Sequence, residues 1–230
     1  MSCVVIIPAR SGSKRIKNKN IKLFQKKPII SIVIKKLKNI KSFKNIYVST
    51  DSVKIKKISE KSGAIVPFIR SKKLSNDKIS SREVIIDMIK FLEKKKIKFD
   101  HIFSVYPTSI FLNSELIKHA FKLLKKNPNK FIFGAIPFQS SLERSFKLKK
   151  NKIYEPMKKK YLNKHSNDIE PSFYDSGQFY LAKKDNFKKK LPVFKKNNVA
   201  IIFKKNQCVD INDQDDWELA NKIYQKKSRT

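Results

Sequence analysis

A short loop near the start of the chain combines cations with small polar residues directly after an apolar run. Val4 to Ile7 is typical of a buried parallel strand, and Pro8 to Arg15 adds Gly12, two serines and three cations. Ligands of open α/β sheets bind beyond the carboxyl ends of the strands, where backbone N–H groups can hold an anion and cations can neutralise it. The loop is not a Walker motif, because Arg15 follows Lys14. It predicts a polyphosphate site, with a basic surface turn as the alternative.

Three more loops are expected at the same edge of the sheet. They are Thr50-Asp51, Arg70 to Asp77 and Tyr106-Pro107-Thr108, each following a predicted strand. Since the carboxyl ends of parallel strands meet at one edge, we expect these loops to form a single cleft with residues 10 to 19.

The loops are positioned by alternating strand and helix patterns, which predict a doubly wound, mostly parallel α/β sheet. Helix starts are indicated by Pro28, by Ser52, by Ser80 with Glu83 at capping-box spacing, and by Asn113 or Ser114. The predicted strands are Val4 to Ile7, Asn45 to Ser49, Ile65 to Ile69, His101 to Tyr106, Phe131 to Ile136, Phe173 to Ala182 and Val199 to Phe203, followed by a closing helix from Asp213 to Gln225.

The alternation stops between about residues 138 and 172. This stretch is rich in Lys and Asn, and Phe146 to Tyr154 is expected to form a hairpin that turns near Asn151. We expect one domain over residues 1–230, with this segment inserted as a lid or dimer arm.

The formal charge of +35 raises the possibility of nucleic-acid binding. Only six of the 54 Lys and Arg residues are Arg, however, and the lysines are expected to be spread over every exposed face, with runs at residues 94–96, 158–160 and 188–190 that lie between the predicted elements. Dispersed lysine is typical of a solvated surface, so we expect no specific nucleic-acid partner and keep a basic nucleic-acid-binding protein as an alternative. The few arginines, such as Arg10, Arg15 and Arg70, are expected where planar bidentate donors are needed.

Cysteine use and hydropathy predict a cytoplasmic protein. Cys3 and Cys208 are not spaced as metal-binding Cys or His motifs require, and we expect both to be reduced thiols. No apolar stretch approaches the roughly 18 residues of a membrane span, and the chain enters its first strand without a cationic leader. We therefore expect no membrane partner.

Together with Asp175 to Tyr180 and Val209 to Asn212, the four loops resemble the sugar-acid cytidylyltransferases, the acylneuraminate cytidylyltransferase-like enzymes that make CMP-activated nonulosonic acids. The likeness runs over nearly the whole chain and implies a Rossmann-like fold of the nucleotide-diphospho-sugar transferase type. Tyr106-Pro107-Thr108 and Gly177-Gln178-Phe179-Tyr180 look most like the pseudaminic acid cytidylyltransferase branch.

The resemblance implies that the anomeric hydroxyl of a nonulosonic acid, such as pseudaminic acid, attacks the α-phosphorus of CTP and expels pyrophosphate. Such chemistry depends on in-line positioning and charge neutralisation. The family also implies Mg²⁺ as cofactor and a homodimer. The alternatives are a CMP-sialic or CMP-legionaminic acid synthetase, and a decayed paralogue that still binds CTP.

The resemblance also implies roles for residues of this chain. Catalytic roles fall on Arg10, Lys14, Lys19 and Asp210, and nucleotide binding on Arg10, Ser13, Lys14, Lys19, Asn20, Arg70, Asp77, Ser80 and Ser81. Sugar binding falls on Tyr106, Gln178, Tyr180, Arg144 and His165, and metal binding on Asp210, Asn212 and Asp213. Structural roles are the alternatives for some of these residues. Ser80 and Ser81 could simply cap a helix, Tyr180 could pack within its strand, and Asp210 could form a turn at a strand end.

The chain departs from the family pattern at several positions. Asn212 stands where the second carboxylate of an Asp-x-Asp metal pair is usual, so either Asp213 compensates or metal affinity falls. His165 stands where the pattern often has Arg, and Lys17 and Ser71 stand where Pro is usual.

Overall fold

The computed structural model describes residues 2–40, 42–43, 45–150, 154–204 and 207–227. Its strands are β1 (Cys3–Pro8), β2 (Leu23–Phe24), β3 (Lys27–Pro28), β4 (Ile46–Ser49), β5 (His101–Val105), β6 (Ile132–Pro137), β7 (Phe146–Leu148), β8 (Tyr154–Pro156), β9 (Phe173–Lys183) and β10 (Val199–Ile202). Its α-helices are α1 (Ile29–Lys38), α2 (Val53–Lys61), α3 (Ser81–Lys94), α4 (Ser114–Lys126), α5 (Lys184–Lys188) and α6 (Gln214–Lys227). Within these residues, no helix has the length and apolar character needed to cross a membrane.

Six strands form the central sheet, in the order β10-β6-β9-β5-β1-β4. β9 runs antiparallel to both of its neighbours, and the other pairs are parallel. Val5 of β1, the strand beside the edge strand β4, lies opposite Ile46 on one side and Phe103 on the other. The prediction of a mostly parallel, doubly wound sheet is confirmed.

Alternate residues of β1 face two separate cores, which explains its unbroken apolar sequence. Val5 and Ile7 belong to the larger core, with apolar residues of α1, α4 and α6. Val4 and Ile6 belong to the smaller core, with residues of α3. Helices therefore cover both faces of the sheet, and its carboxyl edge is left for loops.

The predicted helix starts are confirmed by their caps. The Ser52 hydroxyl accepts a hydrogen bond from Ile55 N, and Asn113 Oδ1 accepts one from Leu116 N. Ser80 and Glu83 form a reciprocal capping box at the start of α3. Local side-chain chemistry thus sets where these three helices begin.

The predicted strand from Ile65 to Ile69 is wrong. The structure has only two isolated bridges there, pairing Ile65 with Tyr47 and Ile69 with Thr50. Pro67 lies between them and has no N–H to donate, so a continuous ladder cannot form.

The inserted segment leaves the sheet between β6 and β9. β7 and β8 pair antiparallel, with Leu148 opposite Tyr154, which confirms the predicted hairpin pairing. Its expected turn at Asn151 lies outside the described residues. Phe146, Leu148 and Tyr154 are all exposed, so this hairpin presents apolar side chains on its surface. The prediction that the chain forms one domain stays a prediction.

Candidate active site

A cleft of about 610 Å³ opens at the carboxyl edge of the sheet. Three of the four predicted loops line it directly, as expected from their places after the strands. The lining residues are Pro8, Arg10, Ser13, Lys14, Arg15, Ile16, Lys19, Asn20, Arg70, Leu74, Asn76, Asp77, Ile79, Ser81, Val84, Tyr106, Pro107, Thr108 and Asn212.

The loop after β1 is held from behind by polar contacts. Asp51 accepts hydrogen bonds from the Ser11 backbone N–H at 2.8 Å and from the Ser11 hydroxyl at 2.9 Å. The buried Asn20 donates its amide N–H to Arg10 O at 2.8 Å. These bonds fix the main chain of the loop, while the side chains of Arg10 and Lys14 remain at the cleft.

Asp77 forms ion pairs with both Arg10 and Lys14 across the mouth of the cleft. Hydrogen bonds donated by Lys14, which has the larger effect, and by Arg10 lower the pKa of the Asp77 carboxyl. The two cations are therefore already directed at an anionic group. A polyphosphate entering the cleft would compete with Asp77 for them.

Lys19 connects this loop to the chain segment that follows β10. Its ammonium group donates to Ile211 O at 2.7 Å. Burial lowers the pKa of Lys19, and the nearby Asp210 carboxylate partly opposes that effect. A cation and a carboxylate thus approach each other at the edge of the cleft.

Asp210 is a partly buried carboxylate bound by Asn212. Burial raises the pKa of Asp210, and the negative charge of Asp175 adds to that effect. Asn212 donates its amide N–H to Asp210 Oδ2 at 2.7 Å and accepts from the Arg15 guanidinium through Oδ1 at 3.0 Å. Asn212 therefore bridges Asp210 to the loop after β1.

The other predicted metal ligands are engaged at the start of α6. Asp213 accepts the Asp216 N–H at 3.0 Å, and Asp216 accepts the N–H groups of Asn212 and Asp213. Among the described residues, no three His, Cys, Asp or Glu side chains are grouped as around a metal ion. Asp210 fits Mg²⁺, which is commonly held by one or two carboxylates together with substrate phosphates. Metal binding at Asn212 and Asp213 stays a prediction.

Arg70 and Ser81 form the opposite side of the cleft. Arg70 is 4% exposed and donates to Ser49 O at 3.1 Å and to the Ser75 hydroxyl at 3.2 Å. Burial lowers the pKa of Arg70, and Asp51 partly opposes this. Ser81 lines the cleft, whereas the neighbouring Ser80 caps α3 and is not among the lining residues.

The five predicted sugar-binding residues do not lie together within this chain. Tyr106 lines the cleft, but Gln178 is 1% exposed and donates its amide to Ser176 O and Val209 O. Tyr180 lies behind Tyr106, with their ring centroids 6.0 Å apart. Arg144 and His165 are exposed in the inserted segment and are not among the cleft-lining residues.

Sequence reasoning missed the role of Asp175 as a second carboxylate close to the site. It accepts a hydrogen bond from the Tyr180 hydroxyl, and its charge acts on Asp210. The only signal available was an acidic residue two positions before Gly177. Asp51 was expected in a loop of the cleft. It is not among the lining residues and instead holds the loop after β1 through Ser11.

Comparison with known proteins gives one consistent result. The family model described as "Cytidylyltransferase" matches residues 4–228. A pseudaminic acid cytidylyltransferase of Campylobacter jejuni is 33% identical over 224 residues, covering 97% of both chains. A CMP-N,N'-diacetyllegionaminic acid synthase of Legionella pneumophila is 27% identical and covers 98% of this chain and 97% of that protein. An N-acylneuraminate cytidylyltransferase of Escherichia coli is 28% identical, with 98% of this chain matching 53% of that protein.

Solved structures share the fold. A CMP:2-keto-3-deoxy-manno-octonic acid synthetase in complex with CTP superposes with a TM-score of 0.70 at 12% identity, over 99% of this chain and 100% of that chain. A cytidylyltransferase of Leptospira borgpetersenii superposes with a TM-score of 0.61 at 16% identity, over 99% of this chain and 96% of that chain. At such identities, the likeness concerns the fold alone.

Proposed function

This chain belongs to the cytidylyltransferase family, and on that premise we propose that it transfers CMP from CTP to pseudaminic acid. CMP transfer to a nonulosonic acid is the activity named for relatives that match almost the whole chain. The observation that carries the proposal is the cleft, where Arg10, Lys14 and Lys19 meet the Asp210 segment. Pseudaminic acid is favoured among the sugars because the relatives named for it reach 33% identity, against 27% and 28% for those named for legionaminic and sialic acids.

In this proposal the triphosphate binds along the loop after β1. Arg10 and Lys14 exchange their ion pairs with Asp77 for phosphate oxygens, and Ser13 and Asn20 lie beside them. The loop is preorganised by its bonds to Asp51, so little ordering is needed when CTP binds.

The base lies toward Arg70 and Ser81 on the other side of the cleft. The anomeric hydroxyl of the sugar then attacks the α-phosphorus, forming the new oxygen–phosphorus bond as the bond to pyrophosphate breaks. The cations neutralise charge that develops on the leaving pyrophosphate, which is the main requirement of phosphoryl and nucleotidyl transfer.

Mg²⁺ is the proposed cofactor, and Asp210 is the residue best placed to hold it. A bound Mg²⁺ would supply charge neutralisation and orientation of phosphate oxygens. Asn212 orients Asp210 through its amide N–H and holds Arg15 through its carbonyl oxygen. It contributes no negative charge of its own, so we expect weak metal affinity in the absence of nucleotide.

A homodimer is the proposed assembly, formed through the inserted segment. Phe146, Leu148 and Tyr154 are 56%, 65% and 67% exposed on adjacent positions of the β7–β8 hairpin. Apolar side chains grouped in this way mark an interaction surface. Arg144 and His165 lie in the same segment, and we propose that they reach sugar bound by the partner subunit. Because CTP is the proposed donor, we expect the protein to act in the cytoplasm.

Pyrophosphate release from CTP and Mg²⁺, measured with pseudaminic, legionaminic and sialic acids, tests this function. We expect turnover with pseudaminic acid and identification of the CMP-sugar by mass. Turnover confined to another acid would contradict the choice of sugar. Tight CTP binding without turnover would indicate a decayed enzyme, and steeply salt-dependent duplex binding without nucleotide preference would indicate a nucleic-acid-binding protein.

A further inference from the structure

We propose that a second cavity, which adjoins the cleft, is a binding site for inorganic pyrophosphate. It has a volume of about 450 Å³, and we call it the outer cavity. The residues that define it are Arg15, Ile16, Lys17, Lys22, Lys54 and Gln214. The inference rests on the proposed function for one source of the anion, whereas the site itself depends on the residues that line the cavity.

One segment of chain forms the wall between the cleft and the outer cavity. Lys14 and Lys19 line the cleft, whereas Lys17 and Lys22 line the outer cavity. Arg15 lines both. The two cavities are therefore adjacent, and the Arg15 guanidinium is the charged group that their linings share.

The main chain of this wall is held by a tight turn at Asn18. Asn18 has a φ of 55°, in the left-handed region that asparagine adopts more readily than most residues. Its carbonyl oxygen accepts hydrogen bonds from the N–H groups of Ile21 and Lys22, both at 2.9 Å. The turn thus fixes the backbone from which the Lys22 side chain extends to the outer cavity.

The outer cavity is positively charged and lacks a carboxylate to balance it. Within the part of the chain that the structure describes, no Asp or Glu lines it, and none of its four cations forms an ion pair. The Arg15 guanidinium donates to the neutral Asn212 Oδ1 at 3.0 Å. The Lys22 ammonium donates to the neutral Gln214 Oε1 at 2.9 Å. A concave site lined by one sign of charge attracts counter-ions, so the outer cavity favours a multivalent anion.

The cleft is different in this respect. Its cations Arg10 and Lys14 already pair with Asp77, so an anion that enters the cleft has to displace a carboxylate. An anion that enters the outer cavity meets no such competitor among the described residues. The outer cavity is therefore a separate site and does not simply extend the phosphate side of the cleft.

Pyrophosphate matches the groups around the outer cavity. Ammonium groups bind phosphate oxygens as point charges, and a guanidinium binds them through two parallel N–H groups. Lys54 and Gln214 lie in the first turns of α2 and α6, and the N-terminal ends of helices favour anions. Lysine is common over the whole chain, but here four cations surround one concave site and one of them is an arginine.

Two sources could supply the anion. The proposed reaction frees pyrophosphate in the cleft, where Arg15 is one of the lining residues. Passage by way of Arg15 to the outer cavity would clear the phosphate side of the cleft for the next CTP. Pyrophosphate dissolved in the surrounding solution has the same chemistry, and a kinetic measurement separates the two sources.

The test reverses one charge of the outer cavity without touching the cleft. Lys54→Glu does this at an exposed position in the first turn of α2, where a negative side chain is compatible with the helix. Lys57→Glu is the matched control, because Lys57 is exposed on the same helix and does not line the cavity. Lys22→Met is a second variant, which removes a charge but keeps an apolar side chain beside Trp217. Each full-length protein is saturated with CTP and Mg²⁺, without sugar acid, and pyrophosphate is titrated by calorimetry.

We expect wild type to bind one pyrophosphate per chain under these conditions. Lys54→Glu and Lys22→Met should weaken this binding by about tenfold or more, the range for bonds to charged groups, and Lys57→Glu by less than about twofold. Pyrophosphate that displaced CTP from the cleft would be insensitive to Lys54, which does not line the cleft. Folded Lys54→Glu and Lys22→Met proteins that bind as wild type does would overturn the proposal, and so would an equal loss in Lys57→Glu.

Transient kinetics with pseudaminic acid then identify the source. A burst of CMP-sugar in the first turnover of Lys54→Glu, followed by a slower steady rate than in wild type, shows that pyrophosphate arrives from the cleft. Unchanged turnover together with weaker calorimetric binding shows that it arrives from solution. The titration needs no turnover, so it still tests the outer cavity if the wild-type protein acts on no sugar acid and the proposed function fails.

Discussion

Gly177 and Asp210 approach each other so closely that a Cβ atom at position 177 would overlap the Asp210 carboxylate. Gly177 also has a φ of 59°, a conformation that favours glycine. One residue of β9 thus fixes the position of the carboxylate that we propose for metal binding. This placement of Asp210 needs both the positive φ of residue 177 and the absence of a Cβ atom there.

We therefore expect Gly177→Ala to destabilise the fold by about 1–3 kcal/mol and to reduce turnover strongly by displacing Asp210. Thermal unfolding and pyrophosphate release measure the two effects. Gly12→Ala is the control for stability, because a Cβ atom there meets nothing within 4 Å. Equal melting temperatures for the two variants would contradict the argument.

Cys3 is expected to be inert in the folded protein. Burial raises the pKa of its thiol to about 12, and the thiolate is the reactive form. In a Cys208→Ser variant, we expect no reaction with a disulfide reagent at pH 8 until denaturant is added. Rapid reaction of the native variant would contradict this.

The same thiol gives a pH dependence of stability. The folded pKa lies above the unfolded value of roughly 8.5, so between these values the native state holds a proton that the unfolded state has lost. The Cys3 contribution to the free energy of unfolding therefore falls as pH rises above about 8.5 and is constant below it. Comparing unfolding curves of wild type and Cys3→Ala across pH 7 to 10 isolates this contribution.

The β7–β8 hairpin is the proposed dimer contact. We expect the double variant Phe146→Glu, Leu148→Glu to be monomeric in size-exclusion chromatography with light scattering, because charges would be buried at the interface. Leu219→Glu, at an exposed leucine of α6, should leave the wild-type mass unchanged. A double variant with the wild-type mass would place the contact elsewhere.

Local signals in the sequence were enough to predict most of the fold. The apolar run of β1, the Ser80–Glu83 capping box and the Asn113 cap each act within a few residues, so their pattern alone indicates the element. The predicted strand at Ile65 failed because Pro67 removes a donor from the ladder, which the apolar pattern does not reveal.

The contact between Asp175 and Tyr180 and the contacts of Asp210 could not be predicted in this way. The five-residue spacing of Asp175 and Tyr180 implies opposite faces of a strand, and only the bulge at Gly177 brings them together. Likewise, the sequence does not show that Gln178 turns its amide toward Ser176 and Val209 and away from the cleft. These contacts depend on how distant segments meet.

Lys19 is expected to be needed for both CTP binding and the placement of Asp210. Lys19→Met removes a charge-assisted hydrogen bond to Ile211 O and leaves Asp210 without its nearby cation. We expect the KM for CTP to rise by about 10- to 100-fold, the range for bonds to charged groups. Lys17→Met, at an exposed lysine of the same loop, is the control and should change KM by less than about threefold. Equal effects would show that only the net charge of the loop matters.

Asn212→Asp tests whether the amide at this position limits metal affinity. The substitution adds a negative charge beside Asp210 and removes the N–H that Asp210 accepts, while a carboxylate can still pair with Arg15. We expect the Mg²⁺ concentration for half-maximal activity to fall by about tenfold, since ligand charge raises cation affinity. Without divalent ions, the melting temperature should fall, because two adjacent carboxylates repel each other. Asn129→Asp, at an exposed asparagine, controls for the added charge. If Asn212→Asp needs as much Mg²⁺ as the wild type, position 212 acts only through its bridge between Arg15 and Asp210.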